Sequence, residues 1–147
     1  MKVNNNTDAA GRLDADGKIK YAIYARTASS DKITVELTQE RIKCQSISLQ
    51  EKNQNLVGVY FDQGVSGAEY RRPELQRLLD DCRLGKVDFI VTKSFSCLAR
   101  DMAVFWKIVK ELRSLNVDLY FEQEDIRMQS EDGKSIFVLL ESFEGRG

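Results

Sequence analysis

The sequence contains no histidine, a single proline and three cysteines, and each scarcity removes a class of chemistry. Without imidazole there is neither His-based general acid–base catalysis nor a His-ligated metal. Reactivity has to come from arginines, carboxylates, hydroxyls or thiols. The cysteines, Cys44, Cys82 and Cys97, are odd in number and lack Cys-x-x-Cys spacing, which gives neither a disulfide framework nor a zinc site. No apolar run approaches the roughly 20 residues that span a bilayer, and no signal-peptide pattern opens the chain. A cytoplasmic protein without a membrane partner is therefore expected. A net charge of -1 also excludes gripping nucleic acid by bulk electrostatics, so any DNA contact has to be local or helped by another segment.

What remains is ordinary globular material: 147 residues, 42% hydrophobic and 31% charged, enough for one core. Residues 1–19 lack apolar periodicity and read as a disordered lead, residues 20–144 as one domain, and residues 145–147 as a truncated tail. The most informative stretch runs from Asp62 to Leu79. An apolar run, Leu56 to Phe61, ends at Asp62; a loop with Gly64 and Gly67 carries Arg71 and Arg72; Pro73 then starts a helix with Leu75, Leu78, Leu79 and Cys82 on one face. Two guanidiniums beside a helix N-terminus suit an oxyanion such as phosphate, and a solvated surface loop is the plainer alternative.

The same alternation continues along the chain. Tyr21 to Ala25, Leu56 to Phe61, Val87 to Thr92 and Asn116 to Phe121 read as strands. Val35 to Lys52 reads as a helix with a stripe of Leu37, Cys44 and Ile47, with Ile42 and Leu49 beside it, and Gly85 as the stop of the Pro73 helix. Met102, Phe105, Ile108, Val109, Leu112 and Leu115 mark a further helix, with Phe105 and Trp106 read as core or interface. Glu122 to Gly133 reads as an acidic, solvated loop whose spacing matches no magnesium site. A last helix carries Ile136, Leu139, Leu140 and Phe143, with Phe137 and Val138 off the stripe, a pattern that calls for a second chain as partner. Strictly alternating strands and helices predict an α/β fold, a mainly parallel sheet with helices on both faces in a Rossmann-like three-layer arrangement. Loops at the carboxyl ends of the strands would then gather Arg26, Asp62, Arg72 and Arg100 at one edge.

Five stretches in order carry a resemblance: Tyr24-Ala25-Arg26 followed by hydroxyls, Gln39, Asp62 to Gly67 with Arg72-Pro73, Gly85 to Asp88, and Ser96 to Asp101. Together they resemble the catalytic domain of serine recombinases (resolvases and invertases), closest to the large-serine-recombinase and transposon-integrase branch. The resemblance implies a resolvase-like fold and recombination of double-stranded DNA by homodimers that pair into a tetramer. It implies a serine nucleophile, a 5′-phosphoserine intermediate, and no metal or high-energy cofactor. Arg26, Arg72 and Arg100 match its active-site arginines, Asp62 its acid and Gln39 its glutamine. The DNA-reading part of such proteins follows the last helix and is absent from this stretch.

Two positions depart from the pattern. The family's Tyr-x-Arg-x-Ser places the nucleophile where this chain has Ala28, and Ser29 follows one residue later between Thr27 and Ser30. Either the loop is re-formed to aim Ser29 at a phosphate, or this copy lacks a nucleophile. Cys97 stands where the family has an arginine, and loss of one such transition-state donor typically slows catalysis about a hundred- to a thousand-fold. A small buried side chain is the plain reading of Cys97, and a thiolate beside Arg100 the sharper one. The alternative to an active enzyme is a catalytically silent, resolvase-like module for dimerisation or assembly. A nucleotide-binding α/β domain has less support, because neither Gly-x-Gly-x-x-Gly nor Gly-Lys-Ser/Thr occurs.

Overall fold

The structure, a computed structural model, describes residues 17–27, 31–52, 54–63 and 72–144. Most of the expected lead therefore lies outside the described residues. Ile19, which falls within its bounds, is buried in the core beside Tyr21 and Ile23.

The elements follow in the order β1 (Lys20–Arg26), α1 (Lys32–Glu51), β2 (Asn55–Asp62), α2 (Pro73–Arg83), β3 (Phe89–Thr92), α3 (Phe95–Leu98), α4 (Met102–Ser114), β4 (Asp118–Phe121), β5 (Ile126–Arg127) and α5 (Glu131–Glu144). They form one sheet of order β2-β1-β3-β4-β5, parallel except for the antiparallel β4–β5 pair. The α/β expectation holds. The chain leaves β1 for β2 on one side and later returns to β3 on the other, so a crevice opens between β1 and β3 at their carboxyl ends.

Side-chain alternation along the strands builds two cores. Tyr21 and Ile23 point to the α1 face with Phe89, Val91 and Leu49, while Ala22 and Tyr24 point to the opposite face with Leu75, Leu78, Val109 and Leu112 of α2 and α4. Tyr21 and Phe89, register partners on β1 and β3, stack with ring centroids 4.7 Å apart. The helices α2 and α4 end alike, each turning at a left-handed residue: Gly85 with φ +76° after α2, and Asn116 with φ 59° after α4. Lys86 N–H and Val117 N–H close these turns on the carbonyls of Asp81 and Leu112 at 2.9 Å.

Three expectations need correction. The Leu37, Cys44 and Ile47 stripe of α1 faces solvent; the inward face carries Gln45 and Leu49, and buried Gln45 donates to Glu122 Oε1 at 2.5 Å. The stretch from Glu122 to Gly133 is not a loop throughout, because it contains β5 and the first turn of α5. Its acids are also used: Glu124 accepts from Phe95 N–H at 3.2 Å, and Asp125 from the Tyr120 hydroxyl at 2.5 Å. Lastly, Phe137 is no outlier of α5. It packs on Trp106 at 4.8 Å under the Arg113 guanidinium at 4.0 Å, while Leu140 enters the core.

No helix among the described residues is long and apolar enough to cross a membrane.

Candidate functional site

The site begins where β1 and β2 end together. Arg26 and Asp62 are register partners in the last rung of that ladder, and Thr27 N–H extends it by donating to Asp62 C=O at 3.0 Å. Asp62 is only 2% exposed, and its carboxylate spans the gap to α2. Oδ1 accepts from Glu74 N–H at 2.9 Å; Oδ2 accepts from Leu75 N–H at 3.0 Å and from the Tyr24 hydroxyl at 2.9 Å. Arg72, the residue before the helix, makes no side-chain cap, so Asp62 caps α2 from another element. The α2 N-terminus, which the sequence offered as a phosphate site, is thus filled by the protein's own carboxylate.

Arg72 is fully buried. Its guanidinium donates to Leu98 C=O and lies 5.5 Å from the centre of the Tyr24 ring. Burial, followed by the nearby Asp62 carboxylate, pushes the Tyr24 hydroxyl far above its ordinary range against the pull of Arg72, so it remains a donor. Tyr24, Asp62 and Arg72 therefore bind β1, β2, α2 and α3 into one buried brace. Cys97, at the end of α3, is held by its N–H to Ser94 Oγ at 3.2 Å.

Beside this brace, at the β1–β3 crevice, lies a groove of about 220 Å³ lined by Ala25, Arg26, Thr34, Leu37, Thr38, Arg41, Lys93 and Cys97. Three of these side chains are cationic and none is acidic. Arg26 is aimed from β1 by a hydrogen bond to Ser96 C=O at 3.2 Å. The groove suits a small anion by size, charge and place in the fold.

Of the residues singled out in the sequence, Arg26 and the departing Cys97 share this groove, and Asp62 and Arg72 sit in the brace behind it. Arg100 is exposed and lines a neighbouring apolar hollow with Phe95, Met102 and Leu139. Gln39 is exposed on α1, next to Thr38, which does line the groove. Ala28, Ser29 and Ser30 lie outside the described residues, as do Gly64 to Arg71. Sequence reasoning missed Arg41 and Lys93. Lys93 follows β3 directly, and Thr34, Thr38 and Arg41 stand at i, i+4 and i+7 of α1, a spacing that could have shown them on one face.

A five-stranded sheet of this order, with a cation-lined groove at its switch point and an arginine closing β1, fits the fold expected of the class of resolvase-like catalytic domains. Comparison with known proteins places the chain within it. Residues 21–145 match the family model "Resolvase, N terminal domain", and the chain belongs to that family of serine recombinases. It is 34% identical over 103 residues to the transposon Tn552 DNA-invertase BinR of Staphylococcus aureus, covering 67% of this chain and 53% of that protein. The chain thus spans about half the length of this curated relative. Among solved structures, the N-terminal catalytic domain of TP901-1 integrase has the same fold, with a TM-score of 0.76 at 23% identity over 86% of this chain and 94% of that one. A resolvase family site-specific recombinase from Streptococcus pneumoniae gives a TM-score of 0.70 at 21% identity, over 88% and 89% of the two chains.

Proposed function

We propose that this chain is the catalytic domain of a site-specific DNA recombinase that cuts and rejoins double-stranded DNA through a 5′-phosphoserine, with its groove holding the scissile phosphate. The observation that carries this proposal is the acid-free groove, where Arg26 meets two further cations at the β1–β3 switch point. Ser29 Oγ attacks phosphorus, the bond from phosphorus to the 3′-oxygen breaks, and the proton lost by the serine is balanced by one gained at the freed 3′-hydroxyl. A partner strand's 3′-hydroxyl reverses the step. No redox change or outside energy is needed, because the phosphodiester is conserved in the intermediate.

The roles divide by position. Arg26 holds the phosphate and stabilises its developing charge, with Arg100 approaching from the adjacent hollow. Asp62 and Arg72 act as positioning residues, fixing the ends of β1, β2 and α3 relative to α2. Gln39 is exposed on α1 beside Thr38, which lines the groove. The exposed side of α5 pairs with a second copy of the chain, and two such dimers would make the recombining tetramer. A second reading, a silent assembly module, is favoured by one feature: the side chain facing the groove at position 97 is a thiol, not a guanidinium.

Incubation with a pool of nicked, randomised duplexes at low salt, followed by denaturing electrophoresis and peptide mapping, separates these outcomes. A 5′-phosphate adduct on Ser29, lost in Ser29→Ala and kept in Ser30→Ala, is expected for the active recombinase. An adduct only after Ala28→Ser combined with Cys97→Arg identifies the silent module. No adduct in either protein overturns the chemistry.

A further inference from the structure

The groove holds more positive charge than its anchored arginine requires. Arg41, two turns into α1, and Lys93, the first residue after β3, line it from two different elements, together with Cys97 of α3. Both are exposed, and among the described residues no hydrogen bond or ion pair engages either head group. Arg77 and Arg83, exposed as well, are instead tied to acids: Arg77 to Glu74 at 2.7 Å, and Arg83 to Glu111 at 2.6 Å and Asp80 at 2.8 Å. Two uncommitted cations facing one acid-free groove repel each other unless an anion sits between them.

We infer that Arg41 and Lys93 are phosphate-binding residues that supply, from α1 and from the exit of β3, the positive charge that Cys97 withholds at the end of α3. The inference rests on the proposed reading of the groove as the scissile-phosphate site. Arg41 offers a planar fork that can grip two phosphoryl oxygens, and Lys93 a compact charge with three donors. Replacement from neighbouring elements explains how position 97 can carry a small buried side chain in a groove otherwise lined for an anion.

The test is a thermodynamic cycle read by binding, independent of Ser29 and of turnover. The 147-residue chain is titrated with a fluorescent 20-base-pair duplex by anisotropy over a range of salt concentrations. Arg41→Gln and Lys93→Gln are each expected to weaken binding about three- to tenfold at low salt and to reduce the salt slope by about one. Lys43→Gln, an exposed α1 cation outside the groove, serves as the control and is expected to leave both unchanged. In a Cys97→Arg background the Arg41→Gln effect is expected to fall below about twofold, because the restored guanidinium takes over the contact. Equal losses in both backgrounds, or a Lys43→Gln loss as large as that of Arg41→Gln, overturn the inference. If Arg26→Gln weakens binding while Arg41→Gln and Lys93→Gln do not, the inference fails and the phosphate groove stands. If Arg26→Gln is also without effect, the groove itself is not the phosphate site.

Discussion

An acid at the end of a strand, next to arginines, reads as chemistry, yet Asp62 spends both carboxylate oxygens on the protein. Two backbone N–H groups at the start of α2 and the Tyr24 hydroxyl all donate to it in a buried setting. Removing the acceptor leaves the buried Leu75 N–H and Tyr24 hydroxyl and the half-buried Glu74 N–H without this partner, and each buried loss carries a desolvation penalty of about 1–3 kcal/mol, softened where water or a small shift intervenes. Asp62→Ala is therefore expected to lower stability in urea titration by about 2–4 kcal/mol, a sum of lost cap and lost tyrosine bond. Tyr24→Phe removes one donor and leaves the cap intact, so its loss should be about 1 kcal/mol. An Asp62→Ala protein as stable as the parent would mean that the brace does not hold α2, and would return Asp62 to the list of groups that act on substrate.

At the scale of elements, close approach decides what can be changed. The N–H of Gly133, in the first turn of α5, donates to Ser130 Oγ at 3.2 Å, and a Cβ there would lie 2.3 Å from Met128 C=O and 2.4 Å from Arg127 C=O. Those are backbone atoms of the β5 segment, so the neighbour cannot rotate away. Gly133→Ala should destabilise by about 1–3 kcal/mol or more as α5 is levered off β5, a loss visible as an earlier thermal transition. A substitution without effect on that transition would refute the tight junction. Elements of this kind also mark where the sequence stops being legible. The stripes of α2 and α4 repeat at three and four residues over several turns, and both helices lie where that pattern puts them. The helix α3 and strand β5, of four and two residues, are too short to display any period. The face of α1 misled for a physical reason: its inner side meets Glu122 and a polar groove as well as the core, so Gln45 is buried while Cys44 and Ile47 stay exposed. The arginine convergence was half legible. Strand ends located Arg26 and Asp62, but only the sheet order β2-β1-β3 showed which crevice opens and that Arg41 and Lys93 line it.

Taken whole, the molecule has a closed end and an open side. Its net charge of -1 gives little general attraction to DNA, so the proposed DNA contact would have to rest on local cations. The open side is α5, which uses Leu140, Ile136 and Phe137 to pack on the body and leaves Val138, Leu139 and Phe143 exposed at 62%, 56% and 49%. Met102 of α4, 59% exposed, lines the same hollow as Leu139, Phe143 and Arg100. An apolar face of this kind, carried on a helix whose other face is already packed, fits a two-fold contact in which α5 of each copy covers the hollow of the other. Such pairing would also bring a second protein surface against Arg100, linking assembly to the site. Sedimentation equilibrium is expected to show a concentration-dependent dimer, and Leu139→Glu with Phe143→Glu to weaken it by about a hundredfold. The urea midpoint of the isolated copy should change little, since both side chains are largely outside the core. A parent chain that stays monomeric throughout the accessible concentration range would remove α5 as the assembly surface, while leaving the groove and its phosphate reading untouched.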